Sequence, residues 1–135
     1  CITCIFTKNI CFMQNLQKKT VVLGASENPA RYSYLAVNRL AAHNHPVVAI
    51  GKKKGKVGEV PVITEHPNLE NVDTVTLYLN EQNQKQYYDY ILSLHPKRII
   101  FNPGAENDEL AEIAASKGIQ TMEACTLVLL STGQY

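Results

Sequence analysis

The sequence of 135 residues lacks the features that would direct it to a membrane or to nucleic acid. No apolar run approaches the ~20 residues that a membrane-spanning helix requires. The formal net charge is only +1, so a broad cationic surface for nucleic acid or anionic lipid is not expected. Internal repeats and low-complexity tracts are also missing. The length predicts one domain with a single core.

The four cysteines lack the partners that a zinc site would require. Cys1 and Cys4 have the spacing of a ligand pair, but Cys11 has no nearby histidine to complete a second pair. We therefore expect no metal, and reduced thiols in the cytoplasm are the default. Cys125 lies in an apolar run, where a free cysteine is usually a small core residue. A reactive thiol is the alternative, although no neighbouring cation is evident that would activate it.

The first twelve residues have neither the cationic start nor the cleavage site of a secretory signal. Met13 comes just before the globular pattern begins, which favours a natural start there and an upstream extension at residues 1–12. The alternative is an apolar arm that packs on the domain or on a second subunit. We therefore expect the folded domain to span residues 19–135, with residues 1–18 as an extension or arm.

Short apolar runs alternate with helical patterns along the rest of the chain. The predicted strands are Thr20–Leu23, Pro46–Ile50, Asp73–Leu79, Arg98–Phe101 and Ile119–Met122, with a short extended piece within Val57–Ile63. Helices are predicted around Ala36–Ala41 and at Asn83–Leu94 and Glu106–Lys117. The apolar run Cys125–Leu130 favours a short helix, with a strand as the alternative. This alternation is typical of an α/β fold, here a doubly wound parallel sheet of about five strands flanked by helices in a single domain.

Three of these strands end in polar or conformationally special residues, at Gly24–Ser26, Gly51–Lys54 and Asn102–Gly104. Ligands of such sheets bind beyond the carboxyl ends of the strands, so the three segments are expected to face one crevice. The first segment connects a buried strand to a helix, an arrangement that presents backbone N–H groups to an anion, usually a phosphate. A tight connection without a ligand is the alternative.

The first turn lacks the G-x-G-x-x-G pattern of a classical dinucleotide site, since Gly24 is its only glycine. Lys52–Lys54 follow the second strand, where an acid would bind the ribose hydroxyls. Ammonium groups there would pair with a phosphate on the ribose, which favours coenzyme A (CoA) or NADP over NAD. The N–H groups of Ala25 and Ser26 and the Ser26 hydroxyl would then bind the pyrophosphate. A solvated basic loop is the alternative for the lysines.

These segments, taken together, resemble a known family. The motifs are Val22-Leu23-Gly24-Ala25-Ser26-x-x-Pro29-x-Arg31-x-Ser33, Val47–Lys53, Val60-Pro61-Val62, Asn102-Pro103-Gly104-Ala105 and Glu123-Ala124-Cys125. Their order and spacing are similar to those of the stand-alone CoA-binding proteins, which are related to the nucleotide-binding domain of the succinyl-CoA synthetase alpha subunit. The resemblance covers nearly everything after Lys19.

The resemblance implies a Rossmann-like domain that binds CoA or acyl-CoA. It places Gly24, Ala25 and Ser26 at the phosphates and Lys53 at the phosphorylated ribose, with Lys52 as a close rival. The candidate cofactor-binding residues are Gly24, Ala25, Ser26, Arg31, Ser33, Lys52, Lys53, Asn102, Pro103 and Gly104. Arg31 and Ser33 would steer a phosphate or simply open the helix. The last three would contact the ligand or form a rigid turn.

The chain departs from the family pattern at two places. Gly51-Lys52-Lys53 replaces Asn-Pro-Lys or Ser-Pro-Lys, so the lysine is kept but the proline that stiffens the loop is lost. Ala124 replaces the basic neighbour of the cysteine. These 135 residues contain no counterpart of the second domain that carries the phosphorylated histidine in the synthetase. The resemblance therefore implies that ligase chemistry would need a partner.

No arrangement of His, Ser and acid indicates a hydrolase, and no catalytic residue is assigned. We expect a non-catalytic CoA-binding protein that acts as a carrier, a sensor or an accessory subunit. The alternatives are an NADP-dependent oxidoreductase or CoA-ligase subunit, and a protein-interaction module with a vestigial nucleotide fold. A homodimer or an unidentified protein partner is left open, whereas contacts with nucleic acid or a membrane are not expected.

Overall fold

The computed structural model describes residues 17–135 as a seven-stranded sheet covered by helices. Its strands are β1 (Thr20–Leu23), β2 (Val47–Ile50), β3 (Gly55–Val57), β4 (Val60–Ile63), β5 (Thr74–Leu77), β6 (Arg98–Phe101) and β7 (Gln120–Glu123). Its helices are α1 (Tyr32–Ala42), α2 (Glu81–Gln84), α3 (Tyr88–Ser93), α4 (Asp108–Ser116) and α5 (Thr126–Ser131), with a 3₁₀ turn at Lys85–Tyr87. The expectations for the first three cysteines, for residues 1–12 and for a start at Met13 lie outside these residues.

The strand order is β3-β4-β2-β1-β5-β6-β7, and every neighbouring pair is parallel except β3 with β4. β1 lies between β2 and β5, so the order reverses direction on its two sides, which makes the carboxyl end of β1 the switch point. Leu23 pairs with Ile50 on one side and Leu77 on the other, so these three strands end level. The turns that follow them therefore meet at one edge.

Apolar side chains cover both faces of β1, as its continuous apolar run predicts. Val21 and Leu23 join the core under α3 and α4, whereas Val22 joins the core under α1 and α5. All three side chains are fully buried. At about 1.5–3 kcal/mol per buried aliphatic side chain, this strand anchors both layers of the fold. The prediction of a doubly wound parallel sheet is confirmed.

The sheet has more strands than the five or so predicted because residues 55–63 form a β-hairpin. β3 pairs antiparallel with β4, and the two strands are joined at Gly58, whose φ is +59°. β3 is an edge strand of three residues, of which only Val57 is buried. So short a strand gives no alternating pattern, which is why the sequence predicted a basic loop and an extended piece instead.

The predicted helix at residues 83–94 is divided into α2, the 3₁₀ turn and α3. Tyr87, Ile91 and Leu94 are buried on one face, as their spacing predicts. The Asn80 side chain caps α2 by accepting a hydrogen bond from the Asn83 N–H at 2.9 Å. Within residues 17–135, no helix is long and apolar enough to cross a membrane.

Candidate ligand-binding crevice

A crevice of about 1030 Å³ opens at the carboxyl ends of the central strands. Nine of the ten predicted cofactor-binding residues line it, namely Gly24, Ala25, Ser26, Arg31, Ser33, Lys52, Lys53, Pro103 and Gly104. The structure thus brings together the three segments that the sequence singled out. Their contact with a ligand stays a prediction. A smaller cavity of about 770 Å³ lies at the amino ends of these strands, between Lys19 and Lys97.

Asn102 is the predicted site residue that does not line the crevice, since it is 1% exposed. Its Nδ2 donates to Thr76 Oγ1 at 2.6 Å and to the Leu77 carbonyl oxygen at 2.9 Å. Its Oδ1 accepts from the Thr126 N–H at 2.9 Å. Both donors and an acceptor are therefore used inside the protein, where they tie the end of β6 to β5 and to the start of α5.

The turn after β1 has fewer free donors than the sequence predicts. Gly24 adopts a φ of +91°, and a Cβ there would stand 3.0 Å from the Tyr78 carbonyl carbon. The N–H groups of Gly24 and Ala25 both donate to the Ile50 carbonyl oxygen at 3.0 Å. The Ala25 N–H is therefore occupied, contrary to the expectation that it binds a pyrophosphate.

The free donors of this turn lie at its next two residues. Among residues 17–135, the N–H groups of Ser26 and Glu27 have no protein acceptor. Ser26 Oγ accepts from the Asn28 N–H at 3.0 Å, which leaves its own hydroxyl hydrogen free to donate. The turn thus offers an anion two N–H groups and one O–H group.

Gly51 allows the end of β2 to approach this turn closely. A Cβ at residue 51 would lie 2.2 Å from the Ala25 carbonyl oxygen, far inside van der Waals contact. The Gly51 N–H donates to the Ile63 carbonyl oxygen at 2.9 Å, which fixes the glycine against β4. The glycine that departs from the family pattern therefore holds Lys52 and Lys53 beside the turn.

The lysine loop, Lys52–Lys54, follows β2 and contains one lysine that forms an ion pair within residues 17–135 and two that do not. Lys54 Nζ lies 3.6 Å from Glu65 Oε2, and this is the only ion pair within the described residues. The backbone N–H of Glu65 and the Lys54 ammonium lower the pKa of Glu65. Lys52 and Lys53 line the crevice together with Arg31 and have no such carboxylate partner in this part of the chain. Three cationic side chains are thus available to an anionic ligand.

Glu27 is the one carboxylate that residues 17–135 contribute to the crevice lining, and the sequence prediction did not include it. Its carboxyl group packs against β3, because a Cβ on Gly55 would stand 2.7 Å from both Glu27 Cδ and Oε1. Glu27 comes three positions after Gly24, so the sequence could have placed it in the turn. The direction of its side chain could not have been predicted from the sequence.

The opposite wall of the crevice is largely uncharged. It consists of Tyr78–Asn80, Asn83 and Pro103–Ala105. Pro103 has no N–H, the Gly104 N–H donates to Glu106 Oε1 at 3.0 Å, and the Ala105 N–H donates to the Asn102 carbonyl oxygen at 2.8 Å. This turn therefore has no free N–H for a phosphate and presents apolar and amide surface.

Tyr78 lies on that wall and was also missed by the sequence prediction. Its hydroxyl is buried without a hydrogen-bond partner in the described structure, and burial raises the pKa of Tyr78. The phenol is therefore neutral at physiological pH and is not poised as a base. Cys125 is half-buried and does not line the crevice, whose described lining contains no histidine.

The sheet order and the crevice at its switch point define a Rossmann-like α/β domain. The sequence profile of the CoA binding domain matches residues 18–131, and the chain belongs to this family. The predicted resemblance is thereby confirmed. A search of curated proteins found no significant match.

Solved structures share this fold. A crystal structure of an uncharacterized protein is 54% identical, has a TM-score of 0.87 and covers 90% of this chain and 100% of its own. A hypothetical protein from Pyrococcus horikoshii OT3 is 19% identical with a TM-score of 0.78, covering 86% of this chain and 83% of its own. A Thermus thermophilus protein is 17% identical with a TM-score of 0.76, covering 88% and 91%. At these lower identities the likeness shows the fold alone.

Proposed function

We propose that the protein binds CoA, with the ADP portion at the turn after β1, and acts as a non-catalytic carrier, sensor or accessory subunit. One observation carries the proposal: the free donors of Ser26 and Glu27 lie in the same crevice as the unpaired Lys52 and Lys53. The first group suits a pyrophosphate, because uncompensated N–H groups at such a turn attract anions. The second suits a phosphate on the ribose.

The two walls of the crevice support CoA over a plain nucleotide. One wall has Arg31, Lys52 and Lys53, and the other has uncharged residues such as Leu79 and Ala105. CoA has the same division, since its three phosphates lie at the nucleotide end and its pantetheine arm is an uncharged chain with two amides. A ligand of this kind would meet matching chemistry along its whole length.

NADP is the second candidate cofactor because the lysines fit its ribose phosphate equally well. An oxidoreductase also needs a group that handles a proton beside the nicotinamide. The uncharged wall offers the Tyr78 phenol, but its hydroxyl is buried and its pKa is raised. These observations favour CoA and leave NADP as an outcome that titration distinguishes.

Calorimetric titration of the purified chain with CoA, 3′-dephospho-CoA, NADP, NAD and ADP tests the proposal. We expect CoA to bind most tightly and 3′-dephospho-CoA to bind more weakly. Tighter binding of NADP would favour the oxidoreductase. An absence of CoA binding at millimolar concentration, in a sample shown to be folded, would overturn the proposal and favour an interaction module or a subunit that needs a partner.

A further inference from the structure

Gln84 lies behind the uncharged wall of the crevice and is fully buried. Its Nε2 donates to the Leu79 carbonyl oxygen at 2.8 Å and to the Ala105 carbonyl oxygen at 2.7 Å. Leu79 follows β5 and Ala105 follows β6, and both residues line the crevice. A single side-chain amide therefore bridges the two loops that form this wall.

The sheet itself does not hold these loops together. The pairing of β5 with β6 ends at Leu77 and Phe101, two residues before Leu79 and four before Ala105. Beyond that point the backbones have no shared ladder, and the Gln84 amide takes its place. Asn102 ties the two strand ends together at Leu77, and the hydrogen bonds of Gln84 join the two loops beyond them.

The Gln84 side chain is itself held in place by a network of hydrogen bonds. Its Oε1 accepts from Asn107 Nδ2 at 2.9 Å, and the same Nδ2 donates to the Tyr88 hydroxyl at 2.8 Å. Asn107 Oδ1 accepts from the Leu110 N–H at 3.1 Å, which caps α4. Both donors and the acceptor of Gln84 are thus used, and a buried polar network with all its groups paired is rigid and specific in geometry.

We propose that Gln84 is a positioning residue, whose amide sets the spacing of the loops at Leu79 and Ala105 so that they accept the uncharged arm of the ligand. This inference rests on the proposed binding of CoA. The hydrogen bonds of Gln84 go to Leu79, Ala105 and Asn107, and none of them involves the Ser26 turn or the lysine loop. The loss of Gln84 should therefore weaken the contacts of the pantetheine arm and leave those of the nucleotide end unchanged.

The substitution Gln84→Met tests this role, because methionine has a similar volume and no donor for the two carbonyl groups. Gln82→Met is the matched control, since Gln82 is exposed on the same helix and does not line the crevice. The two probes are CoA and adenosine 3′,5′-bisphosphate, which lacks the pantetheine arm. We expect Gln84→Met to lower CoA affinity about tenfold and bisphosphate affinity less than about twofold, with Gln82→Met changing neither.

The ratio of the two affinities separates positioning from a general structural role. An equal loss for both probes, or no loss in folded Gln84→Met, would overturn the inference while the binding of CoA by the unchanged protein stands. A failure of the unchanged protein to bind either probe would overturn the proposed function as well.

If Gln84→Met does not fold, Asn107→Ser supplies the same test. It removes the Nδ2 donor to Gln84 but keeps a hydroxyl that can cap α4. A loss of roughly threefold for CoA alone would support the role, and an unchanged ratio of the two affinities would refute it.

Discussion

Replacing Lys53 by alanine should weaken CoA binding by removing one contact to the ribose phosphate. Lys53 is exposed, lines the crevice and has no carboxylate partner among residues 17–135, so its ammonium is free to bind an anion. An exposed ion pair contributes about 0.2–1 kcal/mol, and a hydrogen bond to a charged group about 1.5–3 kcal/mol. We take about 1 kcal/mol for this exposed position, which corresponds to a roughly fivefold weaker CoA complex. Lys52→Ala is measured beside it because Lys52 lines the same wall.

Lys54→Ala is the control for the loss of a positive charge. Lys54 belongs to the same loop, but it pairs with Glu65 at 3.6 Å and does not line the crevice. We expect it to change CoA affinity by less than about twofold, and less still as salt screens the charge. Calorimetry at low and at physiological ionic strength measures all three variants.

3′-Dephospho-CoA completes a double-mutant cycle with Lys53→Ala. If the ammonium contacts the ribose phosphate, the unchanged protein should bind this ligand roughly fivefold more weakly than CoA, and Lys53→Ala should have no further effect on it. Two results would refute the reasoning. One is an equal loss in all three lysine variants, and the other is an effect on 3′-dephospho-CoA as large as that on CoA.

Three further predictions concern the turn and the fold around it. Ser26→Ala removes the free hydroxyl donor of the turn and should weaken CoA binding by about 0.5–1.5 kcal/mol in calorimetry, whereas an unchanged affinity would place the pyrophosphate elsewhere. Gly51→Ala places a methyl group 2.2 Å from the Ala25 carbonyl oxygen and should lower the free energy of unfolding by about 1–3 kcal/mol in urea titration; an unchanged midpoint would show that the turn gives way. Burial, and then the nearby cations, lower the pKa of His45, whose Nδ1 accepts from the Lys18 N–H at 3.0 Å. The unfolded chain therefore binds a proton more readily, so the free energy of unfolding should fall as the pH drops below about 6.5 and should do so less in His45→Gln. Equal slopes for the two proteins in urea titrations at several pH values would contradict this assignment.

The parts of the fold that the sequence predicted well are those in which one local pattern decides the outcome. β1 and β6 are buried on both faces and consist of continuous apolar or β-branched residues, apart from Arg98. The edge strand β3 was missed because one buried valine in three residues gives no periodic signal. Local pattern is a strong guide in the centre of a sheet and a weak one at its edge.

The sequence also predicted only part of the candidate site, because some of its features depend on residues distant in the sequence. The positions of Ser26, Lys52 and Lys53 at strand ends follow from the order of the strands, and the structure brings them into one crevice. The hydrogen-bond partners of Asn102 and Ala25 do not follow from it. Asn102 bonds to Thr76 and Thr126, and the Ala25 N–H bonds to Ile50. In each case the partner is separated from its residue by 24 to 26 positions in the sequence, and such distant partners decide which donors remain free.

The contact between Gly51 and the Ala25 carbonyl oxygen bears on the entropy of binding. It joins the turn after β1 to the lysine loop, so the separation of the donors at Ser26 from the ammonium groups at Lys52 and Lys53 is settled while the chain folds. A ligand that uses both groups would not have to order one relative to the other. Much of the conformational entropy that must be lost to form a site for two phosphate groups would then be lost during folding. Only the lysine side chains would still have to become ordered when the ligand binds.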